Sequence, residues 1–413
     1  MTKKKDIIII GGGLYGCILA ILASKKKYNV KIIENSNDIL SSLKPIKIGK
    51  YLVNNGFHGL DYPRCKNLIS FLQSSGIRLN KIPMKKILIY GKQIVNYNDY
   101  FHQYPKVLQK IFVKKNLKNY SNQSFNFFFN KKYLKKIYKN ASRYSDNYKI
   151  AENFFLPYFL PASTRHKSSD EGDIFRDNFR KNQKNTFYFI PTKGIFYTIK
   201  QKIKKLLRNN QIKVFTNSKI LIENNKDLKI IEKSGNKIFY DKKKAKIFFC
   251  ISSIFFLKHS STNLLNKIKN SKRKFYTGLF KIKKSKKINF SEALLLNDKI
   301  YYVNRITQNF CIKDKNYNFF QIEILVKKFK NIISKKKELK NELSKIFNSE
   351  INIIDLKLSR EVFHPNSQWF YAAEKSSKNF TKKLSTKLYT RYNFYPVNMN
   401  KAWLWANEDI KRL

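Results

Sequence analysis

Hydrophobic residues near the start of the chain form a pattern that predicts a strand, a helix and a second strand. Residues 7–10 are consecutive isoleucines, β-branched and apolar on both faces, as a central parallel strand requires. Residues 14–24 combine small and large apolar side chains over a helix-length segment, and residues 30–34 form another short apolar run. This order predicts a βαβ unit and therefore an α/β fold with a parallel sheet.

Gly11, Gly13 and Gly16 stand between the first strand and the helix in the spacing G-x-G-x-x-G. In that spacing the first glycine permits a tight turn, and the second lets the backbone approach a diphosphate. The third lets the helix pack closely on the sheet. The helix begins at Leu14, and the backbone N–H groups of Leu14 and Tyr15 could bind an anion. These five residues are the predicted diphosphate-binding residues.

Glu34 closes the second strand, 18 residues after Gly16. A carboxylate there can accept hydrogen bonds from both ribose hydroxyls of an adenosine, and it would repel the 2′-phosphate of NADP. The lysines at residues 3–5, followed by an apolar run, also fit a signal peptide. Three consecutive glycines interrupt that run, however, and a second strand follows it instead of a small-residue cleavage site. We therefore favour a dinucleotide site.

Apolar periodicity predicts most of the remaining elements. The predicted helices lie at residues 65–75, 98–155, 195–207 and 335–347 and after Asn398. The predicted strands lie at residues 87–95, where two strands flank a turn, and at 213–215, 228–231, 237–239 and 246–251. From about residue 255 to 363, period-two alternation predicts an antiparallel sheet. The longest apolar run, residues 247–257, predicts a buried strand and the turn after it.

The charge of the 413-residue chain is its unusual property. Its 42% hydrophobic and 15% aromatic content is typical of a folded globular protein with room for two cores. A formal net charge of +58 by itself predicts binding to nucleic acid or to an anionic membrane surface. The excess is mainly lysine scattered over many segments, which a biased genome explains better than selection for a polyanion. We therefore predict no specific nucleic-acid partner, although the positive field would attract anionic substrates.

Neither the four cysteines nor the five histidines show the spacing of a metal site. The cysteines form no C-x-x-C pair and two of them lie in apolar elements, which favours reduced thiols. No apolar run reaches the about 20 residues that a membrane helix requires. We expect a cytoplasmic protein with no metal site and no transmembrane segment.

A loop after the second strand carries Gly56, Phe57 and His58. Together with the glycine motif and Glu34, this loop resembles the two-domain flavoproteins. That group includes the flavin amine oxidases, the relatives of protoporphyrinogen oxidase and phytoene dehydrogenase, and UDP-galactopyranose mutase. In the mutase a glycine-proline-histidine loop lies near the flavin. The resemblance implies FAD as the cofactor.

Three further segments bear on the resemblance, each with a departure from the family pattern. The families usually carry a double glycine after the strand-two acid, where this chain has leucine and serines at residues 40–42. Residues 191–195 are similar to the proline-lysine-glycine-glycine segment that re-enters the cofactor domain, with isoleucine in place of the second glycine. Arg391, Asn398 and Met399 resemble the closing flavin motif of the mutase, with threonine where glycine precedes the arginine.

The resemblance implies a discontinuous Rossmann-like FAD-binding domain and a second α+β substrate domain with an antiparallel sheet and a helical cap. The implied FAD-binding segments are residues 1–86, 187–256 and 381–413. The implied substrate segments are residues 87–186 and 257–380.

The resemblance also implies roles for individual residues. His58 is the implied catalytic residue, with a structural histidine bonded to its own loop as the alternative. Arg64, Arg165 and Arg176 are the implied substrate-binding residues, able to reach a diphosphate or carboxylate, and ordinary surface arginines are the alternative. The implied cofactor-binding residues are Gly11, Gly13, Leu14, Tyr15, Gly16, Glu34, Gly56, Ile220, Arg391, Asn398 and Met399.

Three functions follow from these observations. The favoured one is an FAD-dependent oxidoreductase whose flavin accepts a hydride from a small or anionic substrate. The second is a mutase-like isomerase acting on a nucleotide sugar with reduced FAD, which the missing motif glycines disfavour. The third is a non-catalytic polyanion-binding protein on a relic flavin fold. No residue can be assigned as the proton-transfer base from sequence.

Overall fold

The computed structural model describes residues 6–56, 59–62, 65–83, 85–90, 93–96, 187–223, 227–231, 237–239, 245–252, 254–270, 272–284, 290–295, 303–326, 333–363, 375–382, 388–390 and 399–413. The predicted helices at residues 98–155 and the implied helical cap lie outside them.

The described strands, in chain order, are β1 (Asp6–Ile10), β2 (Asn29–Ile33), β3 (Ile46–Ile48), β4 (Tyr51–Val53), β5 (Leu60–Tyr62), β6 (Leu79–Pro83), β7 (Lys86–Tyr90), β8 (Gln93–Asn96), β9 (Phe187–Pro191), β10 (Lys213–Phe215), β11 (Lys219–Glu223), β12 (Asp227–Ile231), β13 (Lys237–Phe239), β14 (Ala245–Phe249), β15 (Lys272–Lys283), β16 (Glu292–Leu295), β17 (Val303–Gln308), β18 (Tyr317–Val326), β19 (Asn352–Phe363) and β20 (Leu388–Thr390). The described helices are α1 (Leu14–Lys25), α2 (Lys66–Ser74), α3 (Tyr197–Asn209), α4 (Ile254–Ser260), α5 (Thr262–Asn270), α6 (Lys336–Phe347), α7 (375–382) and α8 (Met399–Lys411). Short 3₁₀ turns lie at Ser41–Leu43 and Ile333–Lys335.

A five-stranded parallel sheet lies at the centre of the first structural unit. Its strand order is β10-β2-β1-β14-β20, and every neighbouring pair is parallel. β1 is the middle strand, and its Ile7, Ile8 and Ile9 are all 0% exposed, which explains why the strand is apolar on both faces. The predicted βαβ unit and the α/β fold are confirmed.

Helices cover both faces of the parallel sheet. Because successive side chains of a strand point to opposite faces, Ile7 and Ile9 join a core formed with α1, α2, α3 and α8. Ile8 and Ile10 join a second core on the other face, which includes Phe256 of α4 and Phe380 of α7. The helices cover the faces of the sheet, so the carboxyl ends of β1 and β2 stay uncovered by them. The glycine loop and Glu34 lie at these ends.

A seven-stranded sheet forms the second structural unit, in the order β19-β15-β18-β17-β16-β7-β8. All neighbouring pairs are antiparallel except β7 and β16, which run parallel. One face packs against α6 through a core that includes Phe280, Phe320, Ile322 and Leu343. The predicted antiparallel sheet is therefore confirmed, with one parallel pair as the difference.

The sequence-based prediction is wrong between residues 251 and 271. The turn expected after β14 and the strands expected from residue 255 are instead α4 and α5. Phe256 is fully buried, and its ring lies 5.2 Å from that of Phe249 on β14. A short apolar run does not distinguish a buried helix from a strand, and here packing beneath the parallel sheet selects the helix.

The other predicted elements within the described residues are confirmed, with ends shifted by up to about three residues, as is usual for element boundaries. They include the β7–β8 hairpin, α2, α3, β10, the meander of β12 and β13, β14, α6 and α8. None of the described helices combines the length and the apolar character needed to cross a bilayer.

The face of the seven-stranded sheet opposite α6 carries a buried ion cluster. Arg305 on β17 donates from Nη2 to Glu323 Oε2 at 2.6 Å, and its Nη1 lies 3.6 Å from Glu292 Oε1. Tyr188 on β9 donates to Glu292 Oε2 at 2.7 Å. β9 belongs to a separate three-stranded sheet with β5 and β6, so the cluster ties two sheets together.

We expect Arg305→Met to lower the free energy of unfolding by about 3–5 kcal/mol, because two buried carboxylates lose their shared guanidinium. Lys335→Met is the matched control, since Lys335 pairs with Glu338 where both side chains are exposed, and it should cost less than about 1 kcal/mol. Urea unfolding followed by circular dichroism measures both. Equal, small effects of the two substitutions would contradict a structural role for the cluster.

Candidate functional site

Two glycines of the N-terminal motif are required by close contacts around the loop. Gly11 has a φ of +109°, and its N–H donates to the Ile33 carbonyl oxygen at 2.8 Å. A Cβ at Gly11 would lie 2.7 Å from the Cys250 carbonyl oxygen, and one at Gly16 would overlap the Gly11 carbonyl oxygen. These contacts hold α1 tightly against the carboxyl end of β1.

Gly13 differs from these two, because it borders open space. It is exposed, and a Cβ placed on it would meet no heavy atom of the described residues within 4 Å. Gly13 is the N-cap of α1, and no side chain caps the helix by a hydrogen bond. The first N–H groups of a helix have no acceptor within the helix, and the helix dipole makes this end positive. The loop is therefore an open, anion-attracting cradle.

Glu34 lies beside this cradle at the end of β2. Its Oε2 accepts a hydrogen bond from the Gly12 N–H at 2.6 Å, and its Oε1 accepts one from the Ser36 N–H at 2.8 Å. The Ser36 hydroxyl also lies 2.8 Å from Oε1. A carboxylate has about four lone-pair sites, so capacity remains for a further donor. The structure thus brings the predicted acid and the predicted diphosphate loop together.

The loop after Glu34 keeps a backbone conformation that favours glycine although glycine is absent. Leu40 has a φ of +53°, is 1% exposed, and its N–H donates to the Gly12 carbonyl oxygen at 2.8 Å. The left-handed region costs a non-glycine residue about 1–2 kcal/mol. Burial of a leucine side chain contributes about as much in the opposite sense. Burial of Leu40 thus offsets the cost of its left-handed conformation in this loop.

A salt bridge fastens the same loop to α3. Asp38 lies 2.8 Å from Lys200 Nζ and 2.6 Å from Lys204 Nζ. Partial burial alone would raise the pKa of Asp38, but the hydrogen bonds and positive charges of the two lysines outweigh it and lower the pKa. The Lys200 side chain is only 3% exposed, so its charge depends on this partner.

Tyr15 can offer only its backbone N–H to an anion at the start of α1. Its side chain is buried, its hydroxyl donates to Asp409 Oδ2 on α8, and its ring packs edge-on against Trp405 with centroids 5.8 Å apart. Met399 begins α8 and is half-buried against the same core. Ile220 on β11 is half-buried against the core on the other face of the parallel sheet.

A small cleft lies between the loop at residues 54–56, β9 and the strands β17 and β18 of the seven-stranded sheet. Gly56 borders it, and the role of Gly56 beside a flavin stays a prediction. The described residues that line it are mainly carboxamides, hydroxyls and small or apolar groups: Asn54, Gly56, Ile190, Thr307, Gln308, Asn309, Phe310, Cys311 and Gln321. Burial raises the pKa of the Cys311 thiol to about 12, so that lining group is neutral.

Asn54 connects three segments around the cleft. Its Oδ1 accepts a hydrogen bond from the Phe196 N–H at 2.8 Å, and its Nδ2 lies 3.9 Å from Cys311 Sγ. Its carbonyl oxygen accepts a hydrogen bond from Gln321 Nε2 at 3.1 Å. Sequence reasoning missed Asn54 and Gln321. The signal that could have found Gln321 is a polar residue within the apolar run of β18.

Several predicted site residues lie outside the described residues, and their roles stay predictions. They are His58, Arg64, Arg165, Arg176, Arg391 and Asn398. Among the residues that the structure describes, no group of three or more histidine, cysteine, aspartate or glutamate side chains could hold a metal ion.

A family model described as the NAD(P)-binding Rossmann-like domain matches residues 9–74. That range covers the last two residues of β1, the glycine loop, α1, Glu34 and α2. A search of curated protein sequences finds no match to the chain.

Solved structures match nearly the whole chain. Putrescine oxidase bound to putrescine has a TM-score of 0.63, 11% identity, and coverage of 99% of each chain. An oxidoreductase from Methanosarcina mazei has a TM-score of 0.61 and 12% identity, over 98% of this chain and 100% of that one. The CLA-producing fatty acid isomerase from P. acnes has a TM-score of 0.59 and 9% identity, over 100% of this chain and 99% of that one. The fold is that of the flavin amine oxidase-like group.

The flavin amine oxidase-like fold by itself leaves the reaction open. Its members here include an oxidase and an isomerase, so the same scaffold carries different chemistry. The reaction has to be argued from the side chains of the site.

We expect Gly16→Ala to destabilise the protein by at least about 2 kcal/mol, because the new methyl group would overlap the Gly11 carbonyl oxygen. Gly13→Ala is the matched control, since that position is open and its φ of −70° suits alanine. Alanine is a poorer N-cap than glycine but restricts the unfolded chain more, so the free energy of unfolding should change by less than about 1 kcal/mol in either direction. The midpoints of urea unfolding of the two variants, each compared with wild type, measure the two changes in stability. A loss in Gly13→Ala as large as the loss in Gly16→Ala would contradict open space at Gly13.

We expect Asp38→Asn to lower stability at pH 6 by between about 1 kcal/mol, typical of an exposed pair, and about 3 kcal/mol, typical of a buried one. The folded-state pKa of Asp38 is lowered. The contribution of the pair is therefore fully present above the unfolded pKa of about 3.9 and is lost as the pH falls through the lower folded-state value. Urea unfolding from pH 6 to pH 3 should show the difference between wild type and variant narrowing below about pH 4. A difference that stays constant to pH 3 would contradict this assignment.

Proposed function

We propose that the chain binds FAD and acts as an FAD-dependent oxidoreductase whose flavin accepts a hydride from a small substrate. One observation carries the proposal. The open cradle at Gly13 and the carboxylate of Glu34 lie side by side at the carboxyl ends of β1 and β2, where nucleotides bind in parallel sheets.

The residues of the structure fit the ADP half of FAD. Gly13 leaves room for a diphosphate, which the N–H groups at the start of α1, from Leu14 and Tyr15 onward, would hold. Glu34 would accept hydrogen bonds from the ribose hydroxyls. The backbone near Ile220, on the strand that follows β10, is our candidate for the adenine contact.

The cleft beside Gly56 is our candidate for the neighbourhood of the flavin half. It connects the cofactor-side loop with the seven-stranded sheet, and its described lining offers amide donors and acceptors suited to a heteroaromatic ring. Met399 stands at the start of α8, whose positive end would stabilise negative charge that develops on a nearby flavin. Arg391, Asn398 and His58 remain proposed neighbours of that ring.

The protein's own contribution to the reaction would be positioning and electrostatics. When bound, FAD supplies the hydride-accepting chemistry. Thr307 and Gln321, on adjacent strands of the sheet, would orient a substrate in the cleft, because they face each other across the β17–β18 pair and both line it. The Glu292–Arg305–Glu323 cluster holds these strands and the neighbouring sheet in place. Arg64, Arg165 and Arg176 remain proposed substrate contacts, for which an anionic group is the natural partner.

Purification followed by a visible spectrum tests the proposal directly. We expect a yellow protein with one FAD per chain that is reduced anaerobically by its substrate, with Gly13→Val as a folded, colourless control because its side chain would fill the cradle. Wild-type protein that is colourless after incubation with FAD and removal of unbound FAD by gel filtration would contradict the proposal. Turnover that needs prior dithionite reduction and oxidises nothing would indicate a mutase-like isomerase instead. Colourless protein retained on a polyanion column in a salt-dependent manner would indicate a polyanion-binding protein.

A further inference from the structure

The cleft between the loop at residues 54–56 and the seven-stranded sheet has no charged side chain among its described lining residues. Aspartate, glutamate, lysine and arginine make up 27% of the chain, yet none of them is among the nine described residues that line the cleft. The Cys311 thiol, which also lines it, stays neutral because burial raises its pKa to about 12. A charged ligand would therefore find no counter-ion among these residues.

The charged side chains next along the same strands are already engaged with one another. Thr307 and Gln321 line the cleft as a cross-strand pair. The next pair on that face of the sheet is Arg305 with Glu323, two residues and about 7 Å further along. The Arg305 guanidinium bonds to Glu323 and lies 3.6 Å from Glu292. Because these groups neutralise each other, none of them serves as the counter-ion that a buried charge in the cleft would require.

Two asparagines at the cleft have amides whose direction is fixed by the backbone. The Phe196 N–H donates to Asn54 Oδ1 at 2.8 Å, and the Cys311 N–H donates to Asn309 Oδ1 at 2.9 Å. A backbone N–H can only donate, so the atom that faces it must be the amide oxygen. Asn309 is 7% exposed, and its NH₂ group has no acceptor within the part of the chain that the structure describes. The cleft therefore offers an amide donor.

Gln321 supplies the complementary acceptor. Its Nε2 donates to the Asn54 carbonyl oxygen at 3.1 Å, which fixes the amide and leaves Oε1 as the atom that can accept. An ammonium group carries donors only and would have nothing to give the Asn309 NH₂ group. A carboxylate carries acceptors only and would have nothing to give the Gln321 oxygen. An uncharged amide has a carbonyl oxygen for the first and an N–H for the second.

We propose that the group of the substrate that enters this cleft is an uncharged carboxamide. This inference rests on the proposed function, since it assumes that the substrate of that reaction occupies the cleft. It narrows the substrate class at this end of the site from a small or anionic molecule to one that carries a neutral amide. Asn309 and Gln321 are the residues that select it.

Three ligands of equal size test the selection: propionamide, propionate and propylamine, the last two of which are charged at pH 7. Saturation-transfer NMR titrations of the full chain follow the ligand signals, with and without added FAD. About 0.15 M salt screens the lysine-rich surface beyond about 8 Å. We expect propionamide to bind wild type at least about tenfold more tightly than either charged ligand, because only the amide keeps its hydrogen bonds without a buried, unpaired charge.

Asn309→Asp changes the selection with little change in shape. One aspartate oxygen can still accept from the Cys311 N–H, while the other replaces the NH₂ group with a charged acceptor. Propionamide should bind this variant at least about tenfold more weakly than wild type, and propylamine at least about tenfold more tightly. Asn316→Asp is the matched control, since Asn316 is exposed in the turn before β18. It should change none of the three dissociation constants by more than about twofold.

The outcomes separate this inference from the proposed function. Wild-type protein that does not bind FAD contradicts the proposed function, while the order of the three ligands is still measured from their own signals. Propionate or propylamine binding to wild type as tightly as propionamide overturns the inference, as does the absence of binding by all three. An unchanged ligand order in Asn309→Asp that is folded by circular dichroism also overturns it. The wild-type comparison decides the matter where that variant does not fold.

Discussion

The close approach of α1 to β1 is the contact on which the rest of the structure depends. Gly16 packs directly against the Gly11 carbonyl oxygen, and no larger residue fits there. This contact points the open start of α1 at the end of the sheet and leaves Gly13 bordering free space. α1 in turn packs against α3 and α8, with Tyr15 bonded to Asp409. The same short segment therefore organises both the core and the candidate site.

The second structural unit is joined to the first by buried polar contacts as well as by apolar packing. Tyr188 bonds to Glu292 in the ion cluster, and the Asn54 carbonyl accepts from Gln321. Buried polar bonds are directional, and leaving one partner unpaired is costly, so they fix relative position more strictly than apolar contacts do. The cleft lies beside these bonds, so the residues that line it are held in fixed positions.

The loop at Leu40 adopts a left-handed backbone conformation at a residue other than glycine. The left-handed conformation that the double glycine would adopt easily is kept by a leucine with a φ of +53°. Its side chain is 1% exposed, and that burial offsets the conformational cost.

The sequence by itself determined the parts of the fold that depend on local pattern. The isoleucine run, the glycine spacing and Glu34 lie within 34 residues of the start, so periodicity and turn chemistry sufficed to predict β1, α1 and β2. Only the tertiary structure decided that the apolar segment after β14 is helical, since its burial beneath the sheet involves Phe380 from a distant part of the chain. The same holds for the cleft, where Asn54 meets Gln321 across 267 residues. Contacts between such distant residues leave no periodic signal in a single sequence, because each is set by the packing of whole sheets.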